Sequence, residues 1–216
     1  MRGTILEATR EHKITAILRG IDNDRVCHVI DALYDGGIRL LEVTFNQKSA
    51  TKHVDTACAI RYAKEKYQGR MYVGAGTVMS VDDLLAAHEA GAEFILSPNV
   101  NFDVIKKAVE LDVCAIPGAM TPSEIASSYE AGAELVKLFP AGNLGLSYCK
   151  AVMAPINHIP MIAVGGVDDK NLGDFLKAGF VGAGIGSNLT NKTMIQNQDY
   201  EGIRKLAQRY MEASVR

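Results

Sequence analysis

Short apolar runs alternate along the chain with longer segments in which apolar residues recur at helical spacing. The runs are too short for helices, consist mainly of Val, Ile, Leu and Ala, and many end at Gly, Pro, Ser or Asn, which is typical of buried strands. We predict eight strands, at 15–19, 40–45, 72–75, 94–97, 113–116, 135–139, 161–164 and 181–185. A helix is predicted after each strand, at 24–35, 49–67, 80–90, 102–111, 122–131, 148–154, 171–178 and 200–211.

The ends of the predicted helices carry recognisable signals. Thr4-Ile5-Leu6-Glu7 has the form of a capping box and predicts a further, short helix at the start of the chain. Thr121-Pro122-Ser123-Glu124 combines an N-cap threonine, proline at the first helical position and a reciprocal glutamate. Glycines stand at helix exits just before strands, where a left-handed residue returns the chain to the sheet: Gly36, Gly37, Gly91, Gly132 and Gly179.

Eight strand–helix units predict an α/β fold, a (β/α)8 TIM barrel with a short N-terminal helix. The alternative is a doubly wound open sheet, which the chain supports less because no G-x-G-x-x-G follows the first strand. A length of 216 residues suits a compact barrel, so we expect residues 1–216 to form a single domain.

Composition and charge exclude several classes of function. The net charge is −2, with acidic and basic residues interspersed, so neither a nucleic-acid surface nor a polybasic membrane anchor is expected. No apolar run is long enough to span a bilayer, and charged residues interrupt the start of the chain where a signal peptide would lie. The four cysteines are scattered without a C-x-x-C pair, which favours reduced thiols in a cytoplasmic protein.

One predicted strand contains a lysine, Lys137, within the apolar run Leu135–Pro140. Burial disfavours the charged form of an amine and lowers its pKa, and a neutral amine can attack a carbonyl carbon to form a Schiff base. The alternative is a lysine at the strand end whose ammonium reaches solvent or a structural carboxylate. From this run alone, both interpretations remain open.

Strand periodicity places two further charged residues beside Lys137. Counting by two, Arg19 shares a face with Ile17, and Glu42 shares a face with Leu40 and Thr44. Charged side chains are not expected against the apolar helix layer, so we predict that Arg19, Glu42 and Lys137 point into the barrel. They could form a structural ion network or an active site.

Glycine-rich loops follow the last two predicted strands. Gly165-Gly166 and Gly186-Ser187 stand where barrels of this kind frequently hold a phosphate group on backbone N–H groups. Tight turns without a ligand would use the same residues. The glycine pairs alone therefore do not decide between a phosphate site and a turn.

The chain resembles the bacterial KDPG/KHG aldolases over nearly its whole length. The resemblance rests on the order and spacing of Arg19, Glu42-Val43-Thr44-Phe45, Gly74-Ala75-Gly76-Thr77-Val78, Ser97-Pro98, Pro117-Gly118, Lys137-Leu138-Phe139-Pro140, Gly165-Gly166-Val167 and Gly186-Ser187. It implies a class I aldolase that cleaves 2-dehydro-3-deoxy-6-phosphogluconate, or 4-hydroxy-2-oxoglutarate, into pyruvate and an aldehyde such as glyceraldehyde 3-phosphate. It also implies a homotrimer that uses neither a metal nor a cofactor.

The resemblance assigns roles to individual residues. Lys137 is similar to the Schiff-base lysine of the family, and Glu42 to its acid/base residue. The resemblance implies that Arg19 and Thr77 bind the carboxylate of pyruvate and that Pro98 and Phe139 form the wall of this site. It further implies a phosphate site formed by the two glycine-rich loops, at Gly165, Gly166, Gly186 and Ser187.

One departure from the family pattern bears on the substrate. Many KDPG aldolases carry Pro-Thr ahead of the glycine pair, whereas this chain has Ala163-Val164, which is similar to the aldolases of the 6-phosphogalactonate epimer. Val164 is therefore a further candidate substrate-binding residue. The reaction type is unaffected by this difference, but the stereochemistry of the substrate stays open.

Other functions fit parts of the sequence. An isomerase or synthase on a phosphate-binding barrel would share the glycine loops but leave Lys137 unexplained, and a non-catalytic ligand-binding barrel would need no buried amine. A metal site is disfavoured because the histidines are predicted in helices or connecting segments. These are His12, His28, His53, His88 and His158.

Overall fold

The structure, a computed structural model, describes residues 3–215. Nine strands are assigned: β1 (Ile14–Leu18), β2 (Leu40–Thr44), β3 (Tyr72–Gly76), β4 (Phe94–Leu96), β5 (Cys114–Ile116), β6 (Gly118–Ala119), β7 (Val136–Leu138), β8 (Met161–Val164) and β9 (Gly182–Ile185). The helices are α1 (Thr4–His12), α2 (Asn23–Asp35), α3 (Lys52–Lys66), α4 (Val81–Glu89), α5 (Phe102–Glu110), α6 (Pro122–Glu130), α7 (Ala141–Leu144), α8 (Leu146–Met153), α9 (Leu172–Lys177), α10 (Lys192–Gln196) and α11 (Tyr200–Ala213). A 3-10 turn, Ala154–Ile156, follows α8.

All strand pairs are parallel and form one sheet in the order β5-β4-β3-β2-β1-β9-β8-β7-β6. The two strands at the ends of this order, β5 and β6, are consecutive in the chain and are separated only by Pro117. The sheet is therefore a nearly closed barrel with helices alternating between its strands. The predicted α/β barrel is confirmed at this level.

Nine strands are found where eight were predicted. The additional strand arises at Pro117, which separates β5 from β6. Proline has no backbone N–H to donate to a neighbouring strand, which interrupts the ladder. Its carbonyl still accepts a hydrogen bond from Lys137 N at 2.9 Å, so the chain passes from its pairing with β4 to its pairing with β7 at this residue.

Apolar side chains pack in two layers. One cluster fills the barrel interior and includes Ile17, Leu40 and Leu135, as the alternation of strand side chains predicted. The other cluster lies between the barrel and its helices. Ile5 and Ala8 of α1 belong to the interior cluster, so this helix closes the N-terminal end of the barrel. Within residues 3–215, no helix is both long enough and apolar enough to cross a bilayer.

The two predicted capping boxes have different outcomes. The one at Thr4–Glu7 is wrong: Gly3 is the N-cap of α1, and its carbonyl accepts the hydrogen bond from Glu7 N. Gly3 N instead donates to the carboxylate of Glu134. The box at the start of α6 is confirmed, because Thr121 Oγ1 accepts from Glu124 N at 3.3 Å and Thr121 N donates to Glu124 Oε2 at 2.8 Å.

Candidate active site

A cavity of about 640 Å³ opens at the C-terminal ends of the barrel strands. All of the predicted site residues line it: Arg19, Glu42, Thr77, Pro98, Lys137, Phe139, Val164, Gly165, Gly166, Gly186 and Ser187. They come from seven different strands or the loops that follow them. Active sites of barrel enzymes lie at this end because the loops after the strands converge there.

Lys137 occupies the middle of β7, between Gly118 of β6 and Ile162 of β8. Its neighbours in sequence, Val136 and Leu138, pack in the helix-facing cluster, so Lys137 points into the barrel. The residue is 5% exposed. Burial lowers the pKa of Lys137; the carboxylate of Glu42 opposes this shift, and the guanidinium of Arg19 adds to it. The pKa below the ordinary value favours the neutral, nucleophilic amine.

Glu42 lies in β2, beside Ile17 of β1 and Gly74 of β3, and is 1% exposed. Within residues 3–215, its Oε2 atom has no hydrogen-bond partner. Burial raises the pKa of Glu42, whereas the charges of Lys137 and Arg19 lower it. A buried carboxyl group with a raised pKa, facing the same cavity as an amine with a lowered pKa, is suited to exchange protons with a ligand bound there.

Phe139 and Thr77 flank these two residues in the cavity wall. The Lys137 ammonium lies 4.8 Å from the centroid of the Phe139 ring, within the range of a cation–π contact. Thr77, directly after β3, has φ +59°, a left-handed conformation that is uncommon for a β-branched residue. Its carbonyl accepts a hydrogen bond from Gln47 Nε2 at 2.8 Å.

The loops after β8 and β9 bring backbone close to the cavity. Gly165 and Gly166 have φ +85° and +72°, so both occupy the left-handed region that favours glycine. A Cβ atom on Gly166 would lie 3.1 Å from the Cα atom of Gly142. The N–H of Gly142 donates a hydrogen bond to the carbonyl of Gly165 at 2.7 Å. The carbonyl of Gly186 accepts hydrogen bonds from Leu189 N and Thr190 N. These compact turns allow a ligand to approach the backbone without interference from side chains.

Two cations in the cavity wall were not among the predicted site residues. Arg25 lies in the first turns of α2, and Lys192 begins α10; both line the cavity together with Arg19 and Lys137. Within residues 3–215, the buried Nε atom of Arg25 has no hydrogen-bond partner. Neither belongs to a strand or to a loop directly after one, where the sequence predicts the site residues. The wall carries more basic than acidic side chains, which suits a ligand with more than one negative charge.

Val164 ends β8 and packs against the backbone of Gly184 in β9. A Cβ atom added to Gly184 would lie 2.9 Å from Val164 Cγ2. The side chain is buried and offers the cavity only methyl groups. A substrate hydroxyl beside Val164 therefore receives no hydrogen bond from this side chain.

No group of three or more His, Cys, Asp or Glu residues within residues 3–215 is arranged to hold a metal ion. Four histidines lie in α1 to α4, and His158 follows the 3-10 turn, as predicted. None of these described histidines lines the cavity.

Comparison with protein families gives a match to the family described as "Aldolase: KDPG and KHG aldolase", over residues 5–206. The chain is 35% identical over 184 residues to the KHG/KDPG aldolase of Escherichia coli K12, covering 85% of this chain and 83% of that protein. It is 33% identical over 177 residues to the 2-dehydro-3-deoxy-6-phosphogalactonate aldolase of the same organism, covering 82% and 83%. A solved structure described as "Native KDPGal structure" superposes with a TM-score of 0.82 at 32% identity and covers 93% of each chain.

Proposed function

The chain belongs to the KDPG and KHG aldolase family, and from that premise we propose that its cavity cleaves a phosphorylated 2-keto-3-deoxy sugar acid through an imine on Lys137. The enzyme is a class I aldolase, and its products are pyruvate and an aldehyde such as glyceraldehyde 3-phosphate. 4-Hydroxy-2-oxoglutarate is a second substrate of this proposal, as the name of the E. coli KHG/KDPG relative suggests. The observation that carries the proposal is the pairing of buried Lys137 and buried Glu42 in one cavity.

In the proposed mechanism, Lys137 Nζ attacks the C2 carbonyl of the substrate as the neutral amine. The carbinolamine loses water to give an iminium ion, which withdraws electrons from the C3–C4 bond. Removal of the proton from the C4 hydroxyl then breaks this bond and releases the aldehyde. The remaining enamine takes up a proton at C3, and water hydrolyses the resulting iminium to pyruvate and free Lys137.

Glu42 is the proposed group for these proton transfers. Its carboxyl is buried, faces the cavity and has a raised pKa, which makes it a stronger base and suits it to accept and return a proton. Lys137 and Glu42 therefore divide the chemistry between a nucleophile and an acid/base residue.

Recognition of the two ends of the substrate is divided between two regions of the cavity. Arg19 supplies a planar guanidinium, which matches the geometry of a carboxylate, and we assign the substrate carboxylate to Arg19 and Thr77. Pro98 and Phe139 form the wall beside them. The phosphate is assigned to the loops containing Gly165, Gly166, Gly186 and Ser187, where glycine permits close backbone approach.

A second candidate substrate is 2-dehydro-3-deoxy-6-phosphogalactonate, the epimer of 2-dehydro-3-deoxy-6-phosphogluconate. Two observations favour it: Val164 offers no hydrogen-bonding group to the cavity, and a relative at 33% identity bears the name of this activity. Both epimers can form the same imine at C2; they differ at C4, the carbon whose hydroxyl loses its proton when the C3–C4 bond breaks.

The assembly and overall organisation are part of the proposal. We count β5 and β6 as one strand broken at Pro117, which gives a single (β/α)8 barrel with α1 as its N-terminal helix. A homotrimer is supported by partly exposed apolar side chains that follow β3, β4 and β6 at the cavity end of the barrel: Met79, Phe102 at the start of α5, and Met120. Light scattering would measure the subunit number. A cytoplasmic location is supported by the scattered cysteines.

Trapping of the imine tests the mechanism directly. Pyruvate added with borohydride is expected to give a stable adduct on the peptide that contains Lys137, and Lys137→Ala is expected to remove both adduct and aldolase activity. Lys150→Ala is a matched control at a lysine on the surface of α8, outside the cavity lining. An adduct on another lysine, or aldolase activity without any adduct, would contradict the assignment.

A further inference from the structure

Asp83 is a buried carboxylate outside the cavity lining. It lies in the first turn of α4, and its side chain is 1% exposed. Its Oδ1 atom lies 2.7 Å from Lys52 Nζ and 2.8 Å from His53 Nε2. Its Oδ2 atom accepts hydrogen bonds from Met79 N at 3.1 Å and from Gln47 Nε2 at 3.0 Å. The carboxylate thus joins the loop after β2 and the start of α3 to the loop after β3.

These partners keep Asp83 ionised. Burial raises the pKa of the carboxyl group, but hydrogen bonds from Lys52, His53 and Gln47 outweigh it and lower the pKa to about 2. Asp83 therefore carries a fixed negative charge at any pH at which the enzyme works. A buried charge with this many partners is expensive to leave unpaired, so its contacts hold a single arrangement.

Gln47 connects this carboxylate to the cavity. Its Nε2 atom donates both to Asp83 Oδ2 and to the carbonyl of Thr77, at 3.0 and 2.8 Å. Its Oε1 atom accepts from Lys52 Nζ at 2.8 Å. Because donors and acceptors occupy both ends of the amide group, its orientation is fixed. The carbonyl of Thr77 is therefore held by a side chain that is itself held by Asp83.

Thr77 needs such support because its backbone is strained. A left-handed conformation is unfavourable for a non-glycine residue and persists only where the surroundings enforce it. The φ of Thr77 is +59°, and the next residue, Val78, donates from its N–H to Leu96 O at 3.0 Å. The loop after β3 is thus fixed on one side by β4 and on the other by Gln47.

We propose that Gln47 and Asp83 are positioning residues that hold Thr77 in its strained conformation and thereby set the affinity for the carboxylate end of the substrate. This inference rests on the proposed function, in which Thr77 binds the substrate carboxylate. Neither residue lines the cavity, so they act through Thr77 and not by touching the substrate. The effect is confined to ligands that carry a carboxylate next to the ketone.

A comparison of pyruvate with acetone tests this restriction. Both ketones are expected to form an imine with Lys137 that borohydride traps, but only pyruvate has a carboxylate for Thr77. Gln47 is exposed to solvent, so Gln47→Ala is expected to fold and to lower the efficiency of pyruvate trapping by roughly three- to tenfold, the equivalent of one hydrogen bond. Trapping of acetone is expected to be unchanged. In the aldolase assay, KM is expected to rise more than kcat falls.

Asp83→Asn is expected to act in the same direction, since it removes the charge that orders Gln47. Asp31→Asn is the matched control. Asp31 is also a carboxylate held by several side chains, Tyr62, Lys66 and Tyr67, but it lies in α2, outside the cavity lining. It is expected to leave the ratio of pyruvate to acetone trapping unchanged.

Three outcomes separate this inference from the proposed function. An equal loss of pyruvate and acetone trapping in Gln47→Ala would overturn it by showing a general structural role. Unchanged trapping of pyruvate would also overturn it, whatever the behaviour of Asp83→Asn. Failure of the unmodified enzyme to form a pyruvate adduct on Lys137 would instead refute the proposed function.

Discussion

Gly76 leaves the space that the carboxylate of Glu42 fills. A Cβ atom built on Gly76 would overlap Oε1 and Cδ of Glu42. The two residues lie on adjacent strands, β3 and β2, in which Gly76 pairs with Thr44 and Glu42 pairs with Gly74. Glycine at this position is thus required by the placement of the candidate acid/base residue, not by a turn.

Gly76→Ala is expected to displace Glu42 and to lower kcat by about two to four powers of ten, as expected from loss of an acid/base group. Glu42→Gln is expected to have a loss of similar size, with slow imine trapping on Lys137 still detectable. Steady-state assays of both variants would check this. Gly173→Ala is the control, since its Cβ atom would meet nothing closer than Ala213 O at 3.9 Å. Near-normal kcat in Gly76→Ala would show that the Glu42 carboxylate does not need this position.

The pH dependence of imine formation is expected to respond in opposite directions to two substitutions. Trapping requires the neutral amine, so its rate rises with pH to a midpoint below 10.5, the ordinary pKa of lysine, because burial lowers the pKa of Lys137. Arg19 also lowers this pKa, whereas Glu42 raises it. Arg19→Met is therefore expected to move the midpoint up, and Glu42→Gln to move it down.

Acetone is the suitable ketone for this measurement because it has no carboxylate for Arg19 to bind. The midpoint is read from the trapping rate between pH 6 and 10 in each variant. Shifts of the same sign in both variants would contradict the charge arrangement around Lys137.

Val164→Thr is expected to change the preference between epimers. A threonine hydroxyl can hydrogen-bond a substrate hydroxyl that valine only contacts, and contact alone discriminates by roughly ten- to a hundredfold at best. We expect the native enzyme to accept the galactonate epimer at least as well as the gluconate epimer, and the variant to shift kcat/KM toward gluconate. Both substrates should be assayed with both proteins. A strong gluconate preference that the substitution leaves unchanged would show that Val164 does not set stereochemistry.

Lys192→Met is expected to weaken selection for a phosphorylated substrate. Lys192 lines the cavity, and its exposed ammonium contributes modest, salt-sensitive attraction to a dianion. We expect kcat/KM for 2-keto-3-deoxy-6-phosphogluconate to fall about two- to fivefold and the value for 2-keto-3-deoxygluconate to stay constant. Lys177→Met, the same change at the end of α9, serves as control. An equal loss on both substrates would assign Lys192 another role.

The predicted site residues that line the cavity share one property: each belongs to a strand or to a loop directly after one. Strand alternation fixes direction, so Lys137 and Glu42 could be placed inside the barrel before any contact was known. The resemblance to known aldolases then supplied roles that alternation alone left open.

The contacts and residues that the sequence did not predict, and the capping box that it predicted wrongly, have physical explanations. Gln47, in a loop, and Asp83, in the first turn of α4, lie 36 residues apart in sequence, and nothing in the local pattern of either segment indicates their contact. Arg25 and Lys192 lie on helices, where charged residues normally face solvent. At Thr4, the capping pattern was present, but Gly3 preceded it and provided the N-cap backbone carbonyl, so the helix began without the threonine side chain.

Because α1 closes one end of the barrel, both products leave the cavity at the other end. With Ile5 and Ala8 packed into the interior cluster, the cavity opens only at the C-terminal end of the strands described here. In the proposed mechanism, pyruvate remains attached to Lys137 until the aldehyde has departed by that route. Pyruvate is therefore the second product to leave, and steady-state kinetics should show it competing directly with the substrate, while the aldehyde inhibits noncompetitively.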